Sequence, residues 1–338
     1  MQKQIVITGD RPTGKLHLGH YVGSLKNRVE MQNTEKYEMY IFIADLQGLT
    51  DNAKNPSKIK DSIIEVAMDN LSVGIDPSKT TYFIQSGVPE LSELNMYYLN
   101  LVTLARLKRN PTIKEEIKQR GFNENIPAGF LTYPISQAAD ITAFDADLVP
   151  VGEDQIPIME QVCEIVDTFN DTYGYTLVRP KYIVPDSLCC RRLPGTDGKL
   201  KMSKSAGNCI YLSDDKETVK NKVMAMYTDP LHVKITDKGD TKNNTVFIYL
   251  DAFCKDREKY KELKNHYEAG GLGDVEVKRY LIEVLEEILT PIREKRAYYE
   301  THKEEVYKIL KEGTSKARIK AQATLSKVRK NIGVEYFN

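Results

Sequence analysis

The sequence predicts an α/β fold, a doubly wound parallel sheet followed by a mainly helical second domain. Short apolar runs of strand length alternate with helix-periodic segments from Gln4 to Asn170, the pattern of parallel β-α-β units. After about Ile210 the pattern becomes long, charged and helix-periodic, with few strand candidates. At 338 residues the chain also exceeds one typical small domain.

Gln4 to Gly9 reads as a buried strand ended by the turn Asp10-Arg11-Pro12-Thr13-Gly14, and Leu18 to Gln32 as the helix that follows. Tyr37 to Ala44 is the second strand, ending at Asp45, and Ser57 to Val73 a helix with Pro56 just before it. Thr80 to Gln85 is the third strand, with a helix from about Glu90 to Leu107. Asp147 to Val151 is a further short strand and Gln155 to Asn170 a further helix. Right-handed crossovers place ligands at the carboxyl ends of such strands. The turns after Gly9, Asp45, Gln85 and Val151 should therefore crowd around one site. Gly270 to Gly273 reads as a flexible joint between two helices of the second domain.

Composition narrows the function classes. Hydrophobic residues make up 41% and charged residues 28%, ordinary for a globular protein. No run of about 18 apolar residues predicts a transmembrane helix. The start of the chain lacks the pattern of a signal peptide, and five scattered cysteines without a C-x-x-C pair argue for free thiols in a reducing cytoplasm. A zinc or iron–sulfur site is not expected. Net charge is zero, so any contact with RNA must come from local patches. One candidate is the run Lys316, Arg318, Lys320, Lys327, Arg329 and Lys330, which reads equally as a phosphate surface or a solvated basic helix.

Two strings carry chemistry. Thr13-Gly14-Lys15-Leu16-His17-Leu18-Gly19-His20 joins a strand to a helix N-terminus, where free N–H groups and the positive dipole end suit phosphate. Gly19 lets a nucleotide approach the backbone. His17 and His20, three apart on one expected helix face, can donate to phosphate oxygens; the plainer reading is a pair of surface histidines. Lys201-Met202-Ser203-Lys204-Ser205 could form a cationic loop that clamps a leaving pyrophosphate; the plainer reading is a solvated basic loop.

Together these strings resemble the paired HIGH and KMSKS motifs of class I aminoacyl-tRNA synthetases. The segment between them narrows the resemblance. Phe130-Leu131-Thr132-Tyr133-Pro134, Gln137-Ala138-Ala139-Asp140-Ile141 and Val149-Pro150-Val151-Gly152-Glu153-Asp154-Gln155 are similar to tryptophanyl-tRNA synthetases, of the tyrosyl/tryptophanyl subgroup. So are Gly9 to Gly14, Gly271 to Val275 and Thr290 to Arg293, and the resemblance covers nearly the whole chain.

The resemblance implies a Rossmann-type catalytic domain over residues 1–210 with a connecting insertion around 107–147. It implies a helical anticodon-binding domain over 211–300 and a C-terminal helical segment over 301–338. It implies ATP-dependent activation of L-tryptophan, with Mg2+, release of pyrophosphate and transfer to tRNA(Trp) by a homodimer. His17, His20, Lys201 and Lys204 would be catalytic. Arg11, Pro12, Thr13, Gly19, Gly152, Glu153, Asp154, Arg192, Met202, Ser203 and Ser205 would join His20, Lys201 and Lys204 around ATP. Tyr133, Gln137, Asp140, Gln155, Gln47 and Ile7 would hold tryptophan. Indole has one N–H and no acceptor, so its pocket needs an acceptor such as Asp140.

The chain departs from the family pattern in places. Gln47 stands where bacterial relatives often have His, and Ile7 where an aromatic residue often packs on indole. The mobile-loop lysine has two candidates, Lys114 and Lys118. The chain has twenty tyrosines and no tryptophan, which suits an enzyme needed during tryptophan shortage. A tyrosyl enzyme shares the architecture, but the segments around Asp140 and Gln155 argue against it. A small nucleotidyltransferase would lack the second domain and the Lys201 to Ser205 string.

Overall fold

The computed structural model describes residues 3–122, 124–184, 193–198 and 202–336, all but the side chain of Asp51. Among these residues the sheet has five parallel strands: β1 (Gln4–Asp10), β2 (Tyr37–Ile43), β3 (Thr80–Ile84), β4 (Leu148–Pro150) and β5 (Lys181–Ile183). Their order is β3-β2-β1-β4-β5, so the winding reverses between β1 and β4. Such a switch point opens a crevice at the strands' carboxyl ends. β5 was missed in the sequence because it is three residues long and directly follows Pro180.

The strands β1 and β2 are buried on both sheet faces and alternate between them. Val6, Met39, Ile41 and Ile43 face one core. Ile5, Ile7, Tyr40 and Phe42 face the other. This two-sided burial explains the near-continuous apolar runs that made the strands legible.

The predicted helix from Leu18 is not uniform. It comprises α1 (Leu18–His20), a π-helical turn over Tyr21–Leu25 and α2 (Lys26–Asn33). Lys26 donates its N–H to the Tyr21 carbonyl, five residues back, and the Ser24 hydroxyl donates to the His20 carbonyl at 3.2 Å. A hydroxyl competing for a carbonyl is one way the α-helical ladder is loosened. Then follow α3 (Asp45–Asn52), α4 (Pro56–Val73), α5 (Glu90–Leu99), α6 (Leu104–Arg109), α7 (Pro111–Arg120), α8 (Ala128–Thr142) and α9 (Ile156–Tyr173). The helix expected over Glu90 to Leu107 is thus broken, because Thr103 starts a new one by accepting the Arg106 N–H on its hydroxyl.

The remaining helices are α10 (Lys216–Met224), α11 (Thr245–Phe253), α12 (Arg257–Ala269), α13 (Asp274–Thr301) and α14 (Lys303–Ile332). The glycine joint between α12 and α13 is pinned rather than loose. Gly271 donates its N–H to the Ile235 carbonyl at 2.6 Å, and Gly270 and Gly271 have φ of +87° and +114°.

α14 turns back onto the sheet. Val306 and Leu310 join the core on one face, and Ala317, Ala321, Leu325 and Val328 the core on the other. The helix therefore crosses the open edge of β3. Gly313 makes the crossing possible, since a Cβ there would lie 1.9 Å from the Tyr82 carbonyl oxygen. The Thr314 hydroxyl accepts the edge N–H of Ile84 at 3.2 Å. Four residues of the basic run of α14 pair across this docking: Arg318 with Glu90, Lys320 and Lys327 with Asp145, and Arg329 with Glu93. Arg318, Lys327 and Arg329 stay about half exposed in these pairs, so the helix is solvated on this face as well as docked.

Candidate active site

Two cavities meet at the carboxyl ends of β1, β2 and β4. The outer cleft is about 1820 Å³ and the inner cavity about 590 Å³. They share a wall that includes Arg11, His20, Gly152 and Asp154. The outer cleft also takes Thr13, His17, Gly19, Glu153, and Met202 to Ser205. The inner cavity takes Ile7, Gln47, Tyr133, Gln137, Asp140 and Gln155. Of these two spaces the residues expected around the amino acid line only the inner one, while most of those expected around ATP line the outer one, four of them on the shared wall.

Pro12 is buried and lines neither cavity; it packs beneath the first turn, so that a Cβ on Gly48 would lie 3.3 Å from its ring. Arg192 and Lys201 lie outside the described residues. Of the insertion's cations, neither Lys114 nor Lys118 lines these two cavities, whereas Arg120, the last residue of α7, lines the outer cleft. Lys58 of α4 lines it too. Nothing local marked these two cations in the sequence.

His17 and His20 meet, though not as neighbours on a helix face. His17 is extended, with φ −129° and ψ 172°, and caps α1. Its Nδ1 accepts the Gly19 N–H at 3.1 Å, and His20 Nδ1 accepts the His17 N–H at 3.2 Å. This reciprocal cap brings the ring centroids to 3.8 Å. With both Nδ1 atoms accepting, each neutral ring carries its proton on Nε2. Gly19 is needed at this spot, because a Cβ would stand 2.9 Å from the His17 ring.

The downstream loop docks on the same turn. Lys204 donates from Nζ to the Gly14 carbonyl at 2.8 Å and to the Thr13 hydroxyl at 3.2 Å. Burial lowers its pKa from the ordinary lysine value. Met202 is buried, with its sulfur 3.3 Å from the Gly19 nitrogen. Ser203 and Ser205 share a hydroxyl hydrogen bond at 2.8 Å. Beyond the loop, Leu18 donates to the Ile210 carbonyl at 2.9 Å and Leu212 to that of Leu16 at 3.0 Å. The two strings, almost two hundred positions apart, form one structure.

At the inner end Asp140 is 2% exposed. Gln85 donates from Nε2 to both carboxylate oxygens, at 2.8 and 2.9 Å. The Gln85 amide is oriented by the Gln47 N–H, which donates to its oxygen at 3.3 Å. Burial, with a further push from Asp45, raises Asp140 to about 7 despite the Gln85 bonds. A carboxylate offers about four lone-pair sites, so capacity remains for a ligand N–H. Gln85 was missed as a site residue: as a strand-end glutamine it carries no local signal.

Aromatic side chains reach this cavity from β2 and α8. Ile7 is on the wall as expected, and Phe42 lies across Gly9, whose Cβ would come within 2.7 Å of the ring. Tyr133 is held by Glu116 of α7, and burial with that carboxylate raises its phenol far above the ordinary value. Under the shared wall, burial alone would raise Asp10. Arg28, at 2.6 Å, and Asn70, at 3.0 Å, more than offset this and hold the carboxyl below its usual range.

Residues 1–290 match the family model of tRNA synthetases class I (W and Y). A tryptophan–tRNA ligase from Clostridium longisporum is 62% identical, covering 100% of this chain and 99% of that one. One from Streptococcus pyogenes is 59% identical over the full length of both. Among solved structures, the tryptophanyl-tRNA synthetase of Campylobacter jejuni complexed with ADP and tryptophan has a TM-score of 0.85 at 32% identity. It covers 98% of this chain and 100% of that one.

Proposed function

Because the chain belongs to the class I tRNA synthetases for tryptophan and tyrosine, we propose how its residues divide the labour of charging tRNA with tryptophan. The reaction is ATP-dependent activation of L-tryptophan, with release of pyrophosphate, and transfer to tRNA(Trp). In our reading the outer cleft takes ATP and the inner cavity tryptophan, and the α-carboxylate meets the α-phosphate at their shared wall. The observation that carries this reading is the Gln85–Asp140 pair at the inner end, behind a cationic cleft.

Asp140 accepts the indole N–H, while Tyr133, Gln137 and Gln155 hold the amino acid's polar end. Gln47 and Ile7 shape the wall. Arg11, Thr13, Gly19, Gly152, Glu153 and Asp154 bind the nucleotide, with Pro12 supporting the turn from below. His17 and His20 donate from Nε2 to phosphate oxygens as charge builds on them. Lys204, with Met202, Ser203 and Ser205 beside it, stabilises the departing pyrophosphate. Lys201 and Arg192 would serve the same nucleotide. Mg2+ would enter with ATP and would supply neutralisation of phosphate charge. Among the described residues no group of three or more His, Cys, Asp or Glu forms a cage for it.

Residues 1–210 would form the catalytic domain, with its insertion around 107–147, residues 211–300 would read the anticodon, and residues 301–338 would form a C-terminal helical segment. No helix among the described residues is long and apolar enough to cross a membrane. Buried free thiols at Cys163, Cys209 and Cys254 suit a cytoplasmic protein. A homodimer is the assembly that the family resemblance implies. Sedimentation at micromolar concentration should give twice the chain mass, and a monomer would refute the pairing.

ATP–pyrophosphate exchange tests the amino-acid site. It should require tryptophan and run at least about a hundredfold slower with tyrosine, whose different donor position leaves Asp140 unpaired. The pH dependence has a definite sign. An N–H donor favours the carboxylate form, so tryptophan binding expels the proton that Asp140 holds below about 7. The KM for tryptophan should be about tenfold higher at pH 6 than on a plateau above pH 8. A flat profile would refute Asp140 as the indole acceptor.

A further inference from the structure

Asp69 and Arg296 lie outside both cavities. Asp69, on α4, is 0% exposed, and Arg296, on α13, is 2% exposed. Asp69 Oδ2 accepts the Leu16 N–H at 2.7 Å, and its Oδ1 accepts Arg296 Nη1. The same guanidinium reaches the Glu65 carboxylate through Nη2, the Glu65 carbonyl through Nη1 at 3.3 Å and Glu300 through Nε at 3.1 Å. One carboxylate thus joins a side chain of the C-terminal helices to a main-chain amide of the first nucleotide turn.

Leu16 is the residue before His17. Its carbonyl is already tied to Leu212, and Leu18 to Ile210. The strip that carries His17 is therefore held on one side by the segment leaving the Lys204 loop and on the other by Asp69. Docking α13 on α4 does not call for such a pair, because well-packed apolar residues stabilise a buried contact at least as well. The carboxylate adds a fixed position for the Leu16 amide, and hence for the cap that sets the His17 ring.

We propose that Asp69, held by Arg296, is a positioning residue for adenylate formation, fixing the Leu16–His17 backbone so that His17 meets ATP. The proposal rests on the assignment of His17 to the nucleotide phosphates. It makes the chemistry at the cleft sensitive to where α13 lies.

Asp69→Asn tests it. The amide is isosteric but turns one acceptor into a donor, facing either the Leu16 N–H or the guanidinium. Exchange kinetics would be measured well below the unfolding temperature and normalised to folded protein. Tryptophan binding can be followed by the substrate's own fluorescence, since the chain has no tryptophan. Asp69→Asn should lower kcat about tenfold with the tryptophan Kd within about twofold. In a His17→Ala background the same change should cost less than about twofold, because residues acting through one contact are not additive.

A variant with a lower Tm but an unchanged kcat would overturn the proposal. So would a full tenfold loss that persists without the His17 ring. Should Asp69→Asn not fold, Arg296→Lys carries the same comparison with a smaller expected loss. If His17→Ala alone leaves exchange unchanged, the assignment of His17 fails and the proposal falls with it. If His17→Ala is slow and Asp69→Asn is not, only the proposal falls.

Discussion

Lys204→Ala should lower kcat for tryptophan-dependent ATP–pyrophosphate exchange by about 10²–10³-fold, the usual loss when one preorganised transition-state donor is removed. The ammonium is half-buried against neutral partners, the Gly14 carbonyl and the Thr13 hydroxyl. Burial costs the charged form, as its lowered pKa records. In the proposed assignment a departing pyrophosphate would supply the counter-charge at the moment it accumulates. The effect should appear in kcat, with tryptophan Kd unchanged and the KM for ATP moved much less. Lys204→Arg keeps the charge but not its compact shape, and should recover only part of the rate. A kcat within about threefold of the parent for Lys204→Ala would remove Lys204 from the mechanism.

Asp140→Ala should raise the KM for tryptophan by about 10–10²-fold, the cost of leaving both the Gln85 amide and the indole N–H unpaired. Asp140→Asn should be nearly as damaging. Gln47 fixes the Gln85 oxygen, so the Gln85 NH2 group must face residue 140. An asparagine would turn its own oxygen to that group and its NH2 to the indole, donor against donor. Stability separates binding from folding. The folded chain retains the Asp140 proton up to about pH 7, whereas the unfolded chain releases it near 3.8. The folded state therefore binds more protons in that window, and its stability falls as pH rises through it. Asp140→Asn removes this fall, so its Tm at pH 8 should equal or exceed that of the parent while tryptophan binding weakens. A variant that binds tryptophan normally would refute the assignment.

Local signals made much of this molecule legible and long-range ones hid the rest. β1 to β4 stood out because burial on both faces demands apolar runs. His17, His20 and Lys204 stood out as strings, and the amino-acid pocket through its resemblance to a family. The geometry was less visible. The cap joining the two imidazoles and the π-helical turn behind them depend on which carbonyls are free, which a periodicity count does not see. Gln85 and Asp69 gain their roles from partners 55 and 227 positions away. The basic run of α14 read equally as a phosphate surface or a solvated helix, because Glu90, Glu93 and Asp145, its counter-ions, lie in a distant part of the chain.

The crossing of α14 over β3 has a consequence for synthesis. The Ile84 amide waits 230 positions for its acceptor on Thr314. At ribosomal rates of about 5–20 residues per second, that interval is roughly ten seconds to most of a minute. Throughout it the nascent sheet carries an unsealed strand edge, the geometry that recruits strands from other chains. Gly313 and its neighbours therefore act as a closing latch on the nascent chain, and the period of greatest risk in its life precedes any catalysis.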